Sequence, residues 1–229
     1  MTIDVMEAWV LHKRSSGETS AYVTFFTREK GAVRCLYKGA RTPKKQALLQ
    51  AFSPLWLAIT SRNDVHFVRH VEAVSPSLTL ARDNLFAGLY VNELLYHALK
   101  EQDAYSELYD TYTQTLHALM TALDRFAVEM ILRRFEWALL CACGYSMSLT
   151  HEIEDARPIA AENRYQFIVG EGFIRDERGL PGTDILALAQ GCLDNRSVLK
   201  TAKSIMRLAI DHLLDGRPIK ARELYCARV

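Results

Sequence analysis

Four cations crowd into one eight-residue stretch, Lys38-Gly39-Ala40-Arg41-Thr42-Pro43-Lys44-Lys45, just past a run of strand-forming residues. Lysine and arginine on such a loop neutralise phosphates without reading bases, so the binding they support weakens with salt and ignores sequence. Arg28, Lys30 and Arg34 lie upstream and lengthen the basic stretch. Tyr22, Phe26 and Tyr37 on the same segment offer rings on which unpaired bases stack. Taken alone, the same residues suit a solvated loop over an aromatic core better, because such loops are common.

A second cationic element lies near the end of the chain. Lys200, Lys203 and Arg207 occupy the polar side of a helical stripe, and Gly216-Arg217-Pro218-Ile219-Lys220-Ala221-Arg222 follows it. Arg133 and Arg134 sit in an otherwise apolar helical run. Two readings of that pair stand side by side. They form helical ion pairs with Glu129 or Glu136, or they line a groove that takes an acidic, apolar-ended peptide.

Other chemistries find no residues to carry them. The chain has no GxxxxGK[ST] loop, no GxGxxG after a strand, no GxSxG and no HExxH. Cys141-Ala142-Cys143 with His151, and with Cys192 or Cys226, is a conceivable ligand set, but structural zinc usually needs two CxxC-like pairs. The expectation is therefore no catalytic residue, no metal and no cofactor. Five Cys with no CxxC pair, an N-terminus without a signal-peptide layout and no apolar run of membrane-spanning length point to a cytoplasmic protein.

Charge is segregated along the 229 residues although the net charge is only +1. Residues 1–80 hold 11 Lys/Arg against 6 Asp/Glu, residues 81–157 hold 6 against 12, and residues 158–229 hold 11 against 9. A basic front end suits a polyanion, whereas the acidic middle repels one.

The elements that must position these groups change period near residue 80. Ala8–Leu11, Ala21–Phe26, Val33–Tyr37, Leu55–Ile59 and Val65–Val68 are five short β-branched and aromatic runs separated by turn residues. They predict a small barrel of the OB type, with a β-meander as the alternative. From Asp83 onward the period is helical. Leu85, Leu89, Leu94, Leu95 and Leu99 form one stripe, and Leu108, Tyr112, Leu116, Leu119 and Leu123 a second. Met130, Ile131, Phe135, Ala138 and Leu139 form a third, and Val198 to Leu213 the cleanest. Tyr165–Val169 and Phe173–Ile174, around Gly170-Glu171-Gly172, predict a hairpin. The organisation expected is α+β: a nucleic-acid-binding barrel over 1–80, then a helical bundle over 81–229 with a hairpin insert at 144–182.

Short motifs in a fixed order make the chain resemble the RecO family of bacterial DNA repair proteins. They are Gly17-Glu18-Thr19-Ser20, Lys38-Gly39-Ala40-Arg41, Phe52-Ser53-Pro54-Leu55 and Gly88-Leu89-Tyr90-Val91-Asn92-Glu93-Leu94-Leu95. Arg133-Arg134-Phe135-Glu136-Trp137-Ala138-Leu139-Leu140, Gly144-Tyr145, Gly172-Phe173-Ile174 and Ala221-Arg222-Glu223-Leu224 complete the order. The resemblance implies an N-terminal OB-fold, a helical bundle and a zinc-ribbon-like insert. It also implies a recombination mediator, not an enzyme. Such a protein binds single- and double-stranded DNA, anneals complementary strands and works with RecR to load RecA on DNA coated by single-stranded-DNA-binding protein. Many members carry two CxxC pairs around the hairpin. Here the first pair's place falls near His151-Glu152-Ile153-Glu154 and no pair follows Ile174, so the hairpin is expected to hold by packing alone. The DNA contacts expected on this basis are Arg34, Lys38, Arg41, Lys44 and Lys45, with Lys200, Lys203, Arg207, Lys220 and Arg222 as a second surface. Arg133 and Arg134 are the expected pocket for the acidic C-terminal tail of single-stranded-DNA-binding protein. The competing reading is a non-catalytic adaptor that docks proteins and does not touch DNA.

Overall fold

The computed structural model describes residues 3–101 and 103–226, without the side chains of 225 and 226. The fold is α+β, a closed five-stranded barrel followed by helices, as the periodicity predicts. Two compact units divide the chain, residues 1–122 with 219–229 and residues 123–218. The helices just past residue 80 thus group with the barrel.

In the first unit the strands are β1 (Ile3–Ser16), β2 (Ser20–Thr27), β3 (Gly31–Tyr37), β4 (Pro54–Arg62) and β5 (Val65–Ala73). They close in the order β1-β2-β3-β5-β4 through a β1–β4 pairing, an OB arrangement. All five predicted runs fall inside these strands. Met6, Val10, Val23, Phe25, Val33, Cys35, Leu55, Leu57 and Ile59 fill the interior. The basic loop does more than bend: it leads into a short helix, α1 (Pro43–Leu48), with Pro43 in the first turn, where its missing N–H costs no hydrogen bond.

Outward-facing Trp9 and Phe26, paired across β1 and β2, would leave an exposed aromatic patch on a lone barrel. The helix α3 (Ser106–Thr121) covers them: Tyr112 meets Trp9 edge-on at 5.7 Å and Tyr109 lies 5.3 Å from Phe26. The second stripe therefore works as predicted through Leu119. Leu123, however, lies beyond the helix end and is 98% exposed.

The preceding helix, α2 (Asp83–Ala98), buries Ala87, Gly88, Tyr90, Val91, Leu94 and Leu95. Leu85, expected on that face, is exposed. Gly88 is required by close packing: a Cβ there would stand 2.5 Å from Leu80 Cδ1 and 2.8 Å from Phe52 Cζ. The last helix of this unit, α7 (Lys220–Cys226), returns to α2, where the Glu93 carboxylate accepts from the Lys220 and Ala221 amides at 3.0 and 2.8 Å. Glu93 so satisfies two of the amides that a helix start leaves unpaired.

The second unit pairs α4 (Arg125–Ala142) with α6 (Arg196–Leu213), joined by α5 (Gly182–Ala189) and a small sheet of β6 (Arg164–Ile168), β7 (Gly172–Arg175) and β8 (Leu180–Pro181). The α6 stripe buries from Val198 to Ile210 as read. The predicted hairpin is β6–β7. It does not hold by packing alone. Buried Glu152 accepts from Arg175 Nε at 2.9 Å and from the Tyr165 hydroxyl at 3.2 Å, while that hydroxyl accepts from the Ala160 amide at 2.9 Å. An ionic clasp thus ties the segment before the hairpin to the residue that follows Ile174.

Candidate nucleic-acid interface

One side of the barrel is left open beside the helices, and a single irregularity in β1 decides what it displays. Trp9 faces Phe26 and Val10 faces Phe25, but the next partner of β2 residue Thr24 is His12, not Leu11. This bulge adds one residue to β1 and reverses its inward–outward parity. Beyond it His12 and Arg14 point outward, level with Thr24 and Tyr22 on β2 and with Arg34 and Leu36 on β3. Phe67 of β5 extends the Tyr22–Leu36 row. Asn92 of α2 pins the bulge: its Nδ2 donates to the Val10 carbonyl at 3.3 Å, and its Oδ1 accepts from the Tyr112 hydroxyl at 2.6 Å.

The face combines rings with cations. Half-buried Tyr22, Leu36 and Phe67 form an apolar strip, and the Arg34 guanidinium lies 4.7 Å over the Tyr22 ring. His12 stacks on Tyr96 at 4.5 Å. Burial, then Arg14, Arg34 and Lys220 in turn, push the His12 imidazole below its ordinary pKa. The register sets Arg14 and Arg34 on the same face as His12, and α2, whose Tyr96 stacks on His12, also holds the Lys220 amide through Glu93, so β1, β3 and α7 each bring a cation to this face.

The basic loop continues the face at the Tyr37 end of β3. Arg41 donates its Nη1 to the Gly17 carbonyl at 3.1 Å, and its amide donates to the Thr19 carbonyl at 3.0 Å, tying the loop to the β1–β2 turn. Lys45 donates to the Lys38 carbonyl at 2.9 Å and lies 4.4 Å over the Tyr37 ring. Both of these cations shape the loop. Lys38 and Lys44 are exposed and have no side-chain partner among the described residues.

Several expected contributors point elsewhere. Arg28 grips Asp110 through both terminal nitrogens and reaches Glu7 at 3.6 Å, and Lys30 bonds Asp4 at 2.5 Å. Of the three candidate stacking rings only Tyr22 faces outward uncovered, since outward-facing Phe26 lies under α3 and Tyr37 is buried in the barrel. His12, Arg14 and Phe67 were missed, because an unreadable bulge sets the parity of the first two. Lys200, Lys203 and Arg207 belong to the second unit, whereas Lys220 and Arg222 belong to the first, where Arg222 lies 5.9 Å from the Tyr90 ring.

Arg133 does not line an open pocket. It is 7% exposed and donates to Glu136 at 2.7 Å, so helical pairing is the reading that fits; Arg134 is exposed. A cavity of about 350 Å³ lies instead between α4 and α6. Its lining sets Arg125, Arg196, Lys200 and Lys203 against the single carboxylate of Glu129, over Phe126 and Leu199. Glu129 is 3.4 Å from Arg125 and 3.7 Å from Lys203.

Among the described residues, no group of three or more His, Cys, Asp or Glu could hold a metal ion, and no helix is long and apolar enough to cross a membrane. Cys226, one of the conceivable ligands, lies outside the described side chains.

Family models for the N-terminal and C-terminal parts of recombination protein O match residues 1–77 and 80–223. The chain belongs to the RecO family. A DNA repair protein RecO of Legionella pneumophila (strain Paris) is 51% identical over 98% of this chain and 99% of its own length. Relatives of the same description from Actinobacillus pleuropneumoniae serotype 7 and Alteromonas mediterranea are each 36% identical, over 96% and 100% of this chain and 95% and 99% of their own lengths. The RecO family models meet near residue 80, whereas the compact units divide after residue 122 because α2 and α3 pack with the barrel.

Proposed function

We propose that this RecO-family chain is a cytoplasmic DNA repair and recombination mediator that binds single- and double-stranded DNA without sequence specificity and anneals complementary strands. With RecR it helps to load RecA onto DNA coated by single-stranded-DNA-binding protein, and it does so without catalysis. The observation that carries this reading is the open barrel face, where Arg14, Arg34 and Lys220 converge beside Tyr22, Leu36 and Phe67. The cations hold phosphates while Tyr22 and Phe67 receive bases. Lys38 and Lys44 extend the backbone path, and Arg41 and Lys45 keep their loop in shape. Annealing needs two like-charged strands side by side, and fixed cations lower their repulsion.

The acidic, apolar-ended tail of single-stranded-DNA-binding protein fits the α4–α6 cavity, whose cations outnumber its one carboxylate and whose Phe126 and Leu199 give the apolar end a seat. Lys200 and Lys203 are then tail ligands, and Arg207, 4.0 Å from Asp211 on the same helix, adds to the positive field.

The test is annealing of two complementary labelled oligonucleotides, bare and coated with single-stranded-DNA-binding protein. Wild type is expected to accelerate both. Arg14→Ala/Arg34→Ala/Lys220→Ala is expected to lose both, and Arg196→Glu/Lys200→Glu only the coated reaction. If the barrel variant, still folded, anneals like wild type, the DNA path lies elsewhere and the adaptor reading gains.

A further inference from the structure

The open barrel face carries one titratable ring among its cations. His12 stands opposite Thr24 of β2, which stands opposite Arg34 of β3. Its imidazole lies against Tyr96 of α2 with the planes 28° apart, so the helix holds it in place. The neighbouring elements supply mostly positive charge: Arg14 from β1, Arg34 from β3 and Lys220 from α7. From β2 come Thr24 and Tyr22. From α2 come Glu93 and His97, but the Glu93 carboxylate is engaged by the Lys220 and Ala221 amides and lies 3.7 Å from His97 Nε2. Burial first, and then these three fixed cations, therefore disfavour the charged form of the ring.

We infer that His12 is the fourth ligand of a phosphodiester site formed with Arg14, Arg34 and Lys220, and that it takes up a proton from solvent when a DNA phosphate binds there. The inference rests on the nucleic-acid reading and names the group where binding and protonation meet. The charges that disfavour the imidazolium in the free protein are offset once a phosphate lies among them. The ring then gains an anionic partner for its second N–H.

The sign follows from linkage. The free His12 pKa lies below its ordinary 6.5, and bound phosphate raises it. Affinity is therefore flat above the bound pKa, climbs as pH falls through the interval between the two, and is flat again below the free one. Each unit of separation corresponds to about a tenfold gain in affinity. Arginine and lysine contacts alone give no such dependence in this range, because they stay charged throughout it.

The experiment is a pH titration of the full chain by NMR, following the His12 Cε1–H with and without an oligothymidylate at fixed ionic strength. The resonance is assigned by its loss in His12→Gln. Oligonucleotide affinity is measured over the same range by fluorescence anisotropy. We expect the oligonucleotide to raise the His12 pKa by about one unit, with about fivefold tighter binding at pH 5.5 than at pH 7.5. His12→Gln is expected to flatten most of that rise. An oligonucleotide that binds and leaves the His12 titration unmoved overturns the inference while the DNA reading stands. No binding at low salt overturns both together. Inorganic phosphate at matched ionic strength is the control, and a shift equal to that from DNA would assign the site to free anions instead.

Discussion

Replacing Asn92 by alanine removes the side chain that joins α2, α3 and the β1 bulge through two hydrogen bonds. Asn92 is 3% exposed, its Tyr112 partner is fully buried, and both ends of its amide are engaged. Truncation deletes two hydrogen bonds and leaves the Tyr112 hydroxyl and the Val10 carbonyl dry. Each buried group stripped of its partner costs about 1–3 kcal/mol. Asn92→Ala is thus expected to destabilise the first unit by about 3 kcal/mol. Tyr112→Phe, which bares only Asn92 Oδ1, is expected to cost about 1–2 kcal/mol.

The two changes share one bond, so the double variant should fall short of the sum by about 1 kcal/mol. Urea unfolding followed by Trp9 fluorescence, with the other two tryptophans replaced by Phe, reads the midpoint. With a slope of about 2 kcal/mol/M, Asn92→Ala shifts the midpoint by about 1.5 M. Strict additivity of the two variants, or a shift under about 0.3 M for Asn92→Ala, would refute the reasoning. The bulge also aims His12 and Arg14 outward, so oligonucleotide affinity should fall under conditions where the variant remains folded.

Two further outcomes are expected. Glu152→Ala should destabilise the hairpin of the second unit by about 2–3 kcal/mol, because it leaves the buried Tyr165 hydroxyl without an acceptor. Hydrogen exchange at the Ile153 amide, which donates to the Phe173 carbonyl, should accelerate, and unchanged protection there would contradict the clasp. Burial pushes the Cys35 thiol up to about 12, so at pH 8 a disulfide reagent should label exposed Cys192 and reach Cys35 only on unfolding. Equal labelling rates in the native protein would contradict the barrel core.

The barrel was readable because each strand alternates between residues that fit its interior and residues that do not, and turn-formers punctuate the runs. Val23 and Phe25 go in while Tyr22 and Thr24 stay out, as alternation requires. What failed was parity in β1. Ala8-Trp9-Val10-Leu11 is apolar throughout, so nothing local marks the extra residue, and His12 and Arg14 could not be assigned a side. The bulge is held by Asn92, 82 residues downstream of the Val10 carbonyl to which it donates. Arg133 misled for a related reason. A cation in an apolar helix reads as exposed or functional, yet Glu136 one turn later accepts from its Nη2 inside. The loop from Lys38 to Lys45 was found by composition, but composition did not separate Arg41 and Lys45, which brace the loop, from Lys38 and Lys44, which face solvent. Glu152 precedes the predicted hairpin and Arg175 follows it, and their clasp depends on a fold that brings the two together.

The open barrel face is expected to hold the DNA backbone, and a salt series tests this most directly. Anisotropy of a labelled single-stranded oligonucleotide would be followed from low to high salt, for wild type and for Arg14→Ala/Arg34→Ala/Lys220→Ala. Three lost phosphate contacts are expected to make the log–log slope shallower by about 2, at about 0.7 per contact on single strands. An unchanged slope in the folded variant would contradict the account.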